Sequence, residues 1–170
     1  DNVSDNGILR GGKSDIYEGG FRLGAFVWWP GKIAAGVRIA EPLHVVDWYP
    51  TLAKIAGASV EQKLPLDGKD IWPVLTQGAK TPHEEILLMG SRPGQRAIRV
   101  GDWKLLVNAH EFRGKAESKP VELYNLVSDP GEHRDLAAEQ PERVKEMQAR
   151  LQALTANPAN AEFLKHKEKL

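Results

Sequence analysis

The sequence predicts an α/β chain in two parts: an α/β portion over residues 1–80, then an antiparallel sheet with a helix over 81–170. Three observations predict it. The run Phe21, Leu23, Ala25-Phe26-Val27-Trp28-Trp29 is almost continuously apolar, as in a strand covered on both faces. Residues 43–57 repeat apolar side chains at helical spacing. From residue 84 onward, short apolar segments are separated by turn residues, the pattern of antiparallel hairpins.

Each element follows from local chemistry. A strand over 21–29 is closed by Pro30-Gly31, and 32–40 reads as a loop with a short extended piece. Pro42 opens a helix over 43–57, with Leu43, Val46, Tyr49 and Ala53 on one face and Gly57 as its stop. Pro50 should kink or divide it. His44 and Asp47, three apart on that helix, read either as ligands or an acid–base pair, or as a cap or core hydrogen bond. The cap is the simpler account. Residues 58–70 form a polar loop, Ile71, Trp72, Val74 and Leu75 a short apolar helix, and 77–82 a linker that marks a boundary. Strands follow over 84–89, 96–100 and 103–107, the last two flanking the turn Gly101-Asp102, and over 122–126. Residues 108–120 are a charged loop. Ser128-Asp129-Pro130-Gly131-Glu132 is a turn. Pro141 starts a helix to about Thr155, whose stripe Val144, Met147, Leu151 and Leu154 must pack on the sheet. Residues 156–170 are polar, with Phe163-Leu164 as a final anchor.

Composition removes several function classes. The 23 basic residues equal the 23 acidic ones, so nothing directs the chain to nucleic acid or an anionic membrane surface. No apolar run approaches the length of a membrane span. There are no cysteines, hence no disulfide, thiolate metal site or cysteine nucleophile in this chain. The sequence opens without Met or a signal peptide, inside what reads as a metal loop, so it is expected to be part of a longer protein.

The chemistry-bearing residues crowd into the first two dozen positions. Asp5-Asn6-Gly7, Leu9-Arg10-Gly11-Gly12-Lys13 and Glu18-Gly19-Gly20-Phe21-Arg22 place a carboxylate, an amide, a lysine and an arginine in glycine-rich turns. Asp and Asn are hard oxygen donors of the kind Ca²⁺ or Mg²⁺ takes. Lys13 is a compact charge suited to a tetrahedral anion. Taken singly, an Asp-Asn-Gly triplet is a turn and a lysine in a glycine loop is solvated. Together they suggest phosphate or sulfate ester chemistry. Asp1-Asn2 is a second such pair but lacks the following glycine, and Asn2-Val3-Ser4 fits a glycosylation sequon in a poor place for a glycan.

In its order and spacing, this string resembles the sulfatase family, and within it the arylsulfatases. The resemblance continues through His44–Leu52, Leu66-Asp67-Gly68 with Asp70-Ile71-Trp72-Pro73, Ala97–Leu106, Glu122–Leu126 and Asp129–Glu132, to about residue 155. It implies the C-terminal part of an alkaline-phosphatase-like core over 1–80, followed by an α+β subdomain over 81–170 with a small antiparallel sheet and a C-terminal helix. It also implies hydrolysis of sulfate esters by a formylglycine, made from the Cys or Ser of a Cys/Ser-x-Pro-x-Arg motif, with Ca²⁺ or Mg²⁺ as cofactor. Matched residue by residue, Asp5 and Asn6 correspond to metal ligands and Lys13 to the catalytic lysine that binds the sulfate. Glu18, Gly19, Gly20 and Arg22 match positions that shape this loop. Ser91-Arg92-Pro93-Gly94-Gln95 and Ser128-Asp129-Pro130-Gly131-Glu132 begin Ser-x-Pro but lack the arginine and lie too late in the chain, so neither is the nucleophile. The formylglycine is therefore expected in an N-terminal part, and this chain alone is expected to be inactive. The implied partner is a sulfated small molecule or sulfated carbohydrate, and the implied compartment is the periplasm or the cell exterior. Arg92, Lys104 and His110 are cations that could reach a sulfated sugar. Two other readings stay open: a phosphonate or phosphate ester hydrolase of the same superfamily, and a non-catalytic sugar-binding or interaction module derived from a sulfatase.

Overall fold

The computed structural model of the chain describes residues 5–110 and 119–156. By its contacts the chain divides into two compact units. One joins the segment up to Leu23 to the segment from Glu85 onward, and the other is Gly24–Glu84. The expected division between residues 80 and 81 placed all of the first segment on the other side. Residues 5–23 belong with the sheet instead because Ile16 and Tyr17 are buried in the same apolar cluster as Ala97, Leu106 and Tyr124.

The first unit is built on a four-stranded antiparallel meander, with β1 (Ile86–Met89), β2 (Arg96–Val100), β3 (Trp103–Ala109) and β4 (Lys119–Asn125) in sequential order. The register pairs Leu87 with Ile98, Ile98 with Leu105, and Leu105 with Leu123. Because side chains alternate across a strand, these four share one face and Leu88, Ala97, Lys104, Leu106, Glu122 and Tyr124 share the other. The long helix α4 (Pro141–Ala156) covers the first face, with Met147 and Leu151 buried against Ile98, Leu105 and Leu123, and Val144 and Leu154 partly buried beside them. The stripe read from the sequence is the one that docks. Full burial of each such side chain contributes roughly 1.5–3 kcal/mol. The second face is covered by Asp15–Tyr17 and the one-turn helix α1 (Glu18–Phe21). The anchor Phe163-Leu164 and most of the charged loop 108–120 lie outside the described residues.

The expected strand over 21–29 is absent. Glu18–Phe21 is helical, and the chain from Arg22 to Trp29 has no regular structure. Phe26 and Trp28 are almost wholly exposed. Continuous apolarity predicts a wish for burial, but a strand also needs a ladder partner, and among the described residues every strand belongs to the meander.

In the second unit the helix expected over 43–57 is a 3₁₀ turn, Val45–Asp47, running into α2 (Trp48–Ile55). Pro50 does not break it. It is the third residue of α2, where a backbone N–H would have no intrahelical acceptor anyway. His44 and Asp47 form a capping box: Val46 N donates to His44 Nδ1 and His44 N donates to Asp47 Oδ2 at 2.7 Å. Asp47 has no exposed surface; it also accepts from Lys69 N and lies 2.9 Å from His83 Nε2 through both oxygens. The pair is a structural clamp. The short helix α3 (Trp72–Gln77) follows, and its Val74 and Leu75 form a small core with Ile71.

Candidate functional site

The loop that carries the sequence-predicted site is held almost entirely by backbone and short polar side chains. Asp5 Oδ1 accepts the Gly7 N–H at 2.8 Å, closing an Asx turn. Asn6 Nδ2 donates to the Gly11 carbonyl at 2.8 Å. Gly12 N donates to Asp15 Oδ2 at 2.8 Å, and Asp15 N donates back to the Gly12 carbonyl at 2.9 Å. Lys13 sits at the exposed tip of that reciprocal turn, followed by Ser14 at φ 82°. One amide thus ties the Asp5-Asn6 pair to the peptide two residues ahead of Lys13.

Glu18-Gly19-Gly20 backs this loop at the closest approach the backbone permits. Gly19 N donates to the Arg10 carbonyl at 2.8 Å. A Cβ on Gly19 would lie 2.3 Å from the Gly11 oxygen, and one on Gly20 would lie 2.1 Å from the Asp15 oxygen. No side chain fits at either position.

Beneath the loop lies a floor of buried charge that the motif reading did not anticipate. Lys104 is fully buried, with its Nζ 2.9 Å from Glu18 Oε1 and 3.0 Å from Glu132 Oε1. Glu18 N donates to Glu132 Oε2 at 2.6 Å. Arg10 Nη1 donates to Tyr124 Oη at 3.0 Å and to the Glu132 carbonyl at 3.2 Å, and its guanidinium lies 3.8 Å above the Tyr17 ring. Tyr17 and Tyr124 both donate their hydroxyls to Glu122, which is 3.5 Å from Arg10. Arg22 stands 4.0 Å from Glu18. Three cations (Arg10, Arg22 and Lys104) therefore face three carboxylates (Glu18, Glu122 and Glu132). Burial pushes the Glu132 carboxyl above its ordinary range, against the pull of Lys104 and the Glu18 N–H. Burial, reinforced by the hydrogen bond to Glu122, pushes the Tyr124 phenol upward. The signal that could have revealed this floor is strand parity. Lys104 and Glu122 fall on the same sheet face as Leu106 and Tyr124, where an unpaired charge could not be buried.

The remaining sequence candidates separate clearly. Lys104 cannot meet a substrate, because it has no exposed surface. Arg92 is exposed on the β1–β2 turn, and its neighbour Ser91 donates Oγ to the Ser14 carbonyl at 2.8 Å. His110 follows β3 and is partly buried.

The donor chemistry at Asp5 and Asn6 fits part of a hard-cation shell. Among the described residues Asp5 uses Oδ1 and Asn6 uses Nδ2, so each keeps one side-chain oxygen. Ca²⁺ takes roughly six to eight oxygens. No cluster of three His, Cys, Asp or Glu able to hold a metal occurs among the described residues. Among the described residues two donors are present and a complete shell is not.

The comparisons with known proteins agree with one another. The Sulfatase family model matches residues 2–58. Arylsulfatase A of Homo sapiens is 37% identical over 153 residues, spanning 77% of this chain and 29% of that protein. Arylsulfatase J of Mus musculus is 30% identical over 186 residues, spanning 86% of this chain and 31% of that protein. Among solved structures, Ps i-CgsB in complex with k-i-k-neocarrahexaose superposes with a TM-score of 0.75 at 32% identity, over 87% of this chain and 32% of that one. The chain spans about a third of the length of the relatives it matches. With the motif order, the meander under its helix and these likenesses in agreement, the chain belongs to the sulfatase family.

Proposed function

We propose that the chain is the C-terminal portion of an arylsulfatase-type sulfuric ester hydrolase, and that its glycine-rich loop supplies part of the active site. Asp5 and Asn6 would hold a divalent cation, Ca²⁺ or Mg²⁺, together with donors from outside this chain. When bound, such an ion withdraws charge from the sulfate oxygens. Lys13 places an ammonium against the sulfate and steadies the negative charge that develops there. The nucleophile, a formylglycine, comes from elsewhere in the protein, so this chain alone does not turn over. The observation that carries the reading is the 2.8 Å bond from Asn6 Nδ2 to the Gly11 carbonyl, which couples the metal pair to the lysine turn. A sulfated carbohydrate is the favoured substrate class. Support for a saccharide comes from Ps i-CgsB, crystallised with k-i-k-neocarrahexaose.

The test uses the full-length protein that contains this chain, with an aryl sulfate and an aryl phosphate offered side by side. The sulfate should be preferred. Asp5→Ala should lower bound metal and activity together. Lys13→Ala should keep the metal but lower kcat/KM by roughly a hundredfold, comparable to losing one oxyanion donor. Lys13→Arg should recover only part of it, because a planar fork does not replace a point charge. Full metal occupancy in Asp5→Ala, or near-native kinetics in Lys13→Ala, would overturn the assignment.

A further inference from the structure

Lys104 poses a physical question. A lysine with no exposed surface is unfavourable by several kcal/mol unless its charge is fully partnered. Here it is partnered by Glu18 and Glu132, both of them buried. None of the three can touch a substrate, so the arrangement must act on its neighbours.

Those neighbours are the residues that seat Lys13. Glu18 opens α1, and Lys104 and Glu132 fix it twice: Lys104 through the side chain and Glu132 through the backbone N–H at 2.6 Å. The next residue, Gly19, donates to the Arg10 carbonyl and abuts the Gly11 carbonyl. Gly20 abuts the carbonyls of Gly12 and Asp15, the residues whose reciprocal bonds hold Lys13 at the tip of its turn. Arg10 rests on the same floor through Tyr124 and the Glu132 carbonyl. Glu18, Glu132 and the Tyr124–Glu122 pair thus link the sheet to the Arg10–Lys13 backbone, beside the packing of Ile16 and Tyr17 and the Ser91 bond to the Ser14 carbonyl. Backbone carbonyls packed this closely transmit a displacement and do not absorb it.

We infer that Lys104 and Glu132 are positioning residues for Lys13: the buried Glu18–Lys104–Glu132 bridge fixes α1, and α1 fixes the lysine turn. This rests on the reading of Lys13 as the residue that meets the sulfate. The inference assigns β3 and the turn after β4 a part in setting the active-site loop, although their Lys104 and Glu132 have no exposed surface.

The experiment uses the full-length protein, with Lys104→Met to remove the cation and Glu132→Gln as a near-isosteric second variant should the first fail to fold. Two readouts are taken. Amide hydrogen exchange is followed in residues 9–20, in β2 and in α4. Kinetics are followed with an aryl sulfate. The expected result is exchange about tenfold faster or more at Gly12, Asp15 and Gly19, whose N–H groups hold the lysine turn, with β2 and α4 near wild-type rates. Alongside it, kcat should fall by about ten- to a hundredfold, as for a reacting group displaced by about 1 Å, with KM changed much less. Exchange that is unchanged in the loop, or accelerated equally in β2 and α4, would overturn the inference and leave the bridge a purely structural one. A wild-type protein inactive on aryl sulfates, in which Lys104→Met still loosens the loop selectively, would overturn the assignment of Lys13 while leaving the mechanical link standing.

Discussion

Gly19→Ala sets two effects of opposite sign against each other. Alanine is favoured over glycine in a helix by about 0.8–1 kcal/mol, and Gly19 is helical. Propensity alone predicts a more stable protein. The structure predicts the reverse. The new methyl would lie 2.3 Å from the Gly11 oxygen and 2.6 Å from the Arg10 oxygen, where ordinary contact begins near 3.4 Å. The loop must retreat by about 1 Å, a strain of roughly 1–3 kcal/mol. The retreat also stretches the 2.8 Å bond from Gly19 N to the Arg10 carbonyl, and losing that bond costs about 1–3 kcal/mol. Strain exceeds propensity, for a net loss of about 1–5 kcal/mol. The same 1 Å carries Lys13 with it, so kcat/KM should fall by roughly ten- to a hundredfold. Urea unfolding and initial rates on an aryl sulfate, both with the full-length protein, measure the two effects. Gly24→Ala is the control, because a Cβ there meets nothing within 4 Å. It should stay within about 0.5 kcal/mol of wild type. A Gly19→Ala protein as stable and as active as wild type would refute the claim that α1 clamps the loop.

Two further outcomes follow from the first unit. Leu151 is buried against Ile98, Leu105 and Leu123, so Leu151→Ala should cost about 2–5 kcal/mol in chemical denaturation; a change under about 0.5 kcal/mol would mean that α4 is not docked. Asp135 is pulled upward by burial, but the Lys119 ammonium and the N–H groups of Ala137 and Leu123 hold it below its ordinary 3.8. A depressed acid contributes stability that is complete above its unfolded pKa and is lost as pH falls through the folded one. The gap between wild type and Asp135→Asn should be open at pH 7 and close in acid, and a pH-independent gap would remove the charge from the explanation.

The sheet was legible because two independent signals agreed on it. Alternation placed Ile98, Leu105 and Leu123 together, and Gly101-Asp102 fixed where the chain reverses. Residues 21–29 misled because apolarity reports only burial, whereas a strand is a property of two segments. Pro50 misled for a smaller reason: the helix begins five residues later than its apolar pattern, which moves the proline into the tolerant first turn. The glycine-rich turns that carry Asp5, Asn6 and Lys13 could be read from the sequence, since the bonds that hold them are local. The floor beneath them needed strand parity and pairing together. Lys104 reads as an ordinary surface lysine until β3 is paired with β4 and the register turns it inward opposite Tyr124.

That inward lysine also bears on how the chain reaches its native state. The meander from β1 to β4 is built of neighbours in sequence, but Tyr17 meets Glu122 across 105 residues. Closing such a loop costs about 4 kcal/mol in chain entropy, roughly twice the figure for a short hairpin. Loop closure therefore favours forming the sheet before the segment carrying α1 docks on it. In the interval, the face that will receive it stands open to water. A bare face of Ala97 and Leu106 alone would invite another chain to settle there. Lys104 and Glu122 interrupt it, as inward-pointing charges do on sheets that must resist aggregation. The groups hardest to bury at the end of folding are also the ones that break up the apolar surface of that face while it is uncovered.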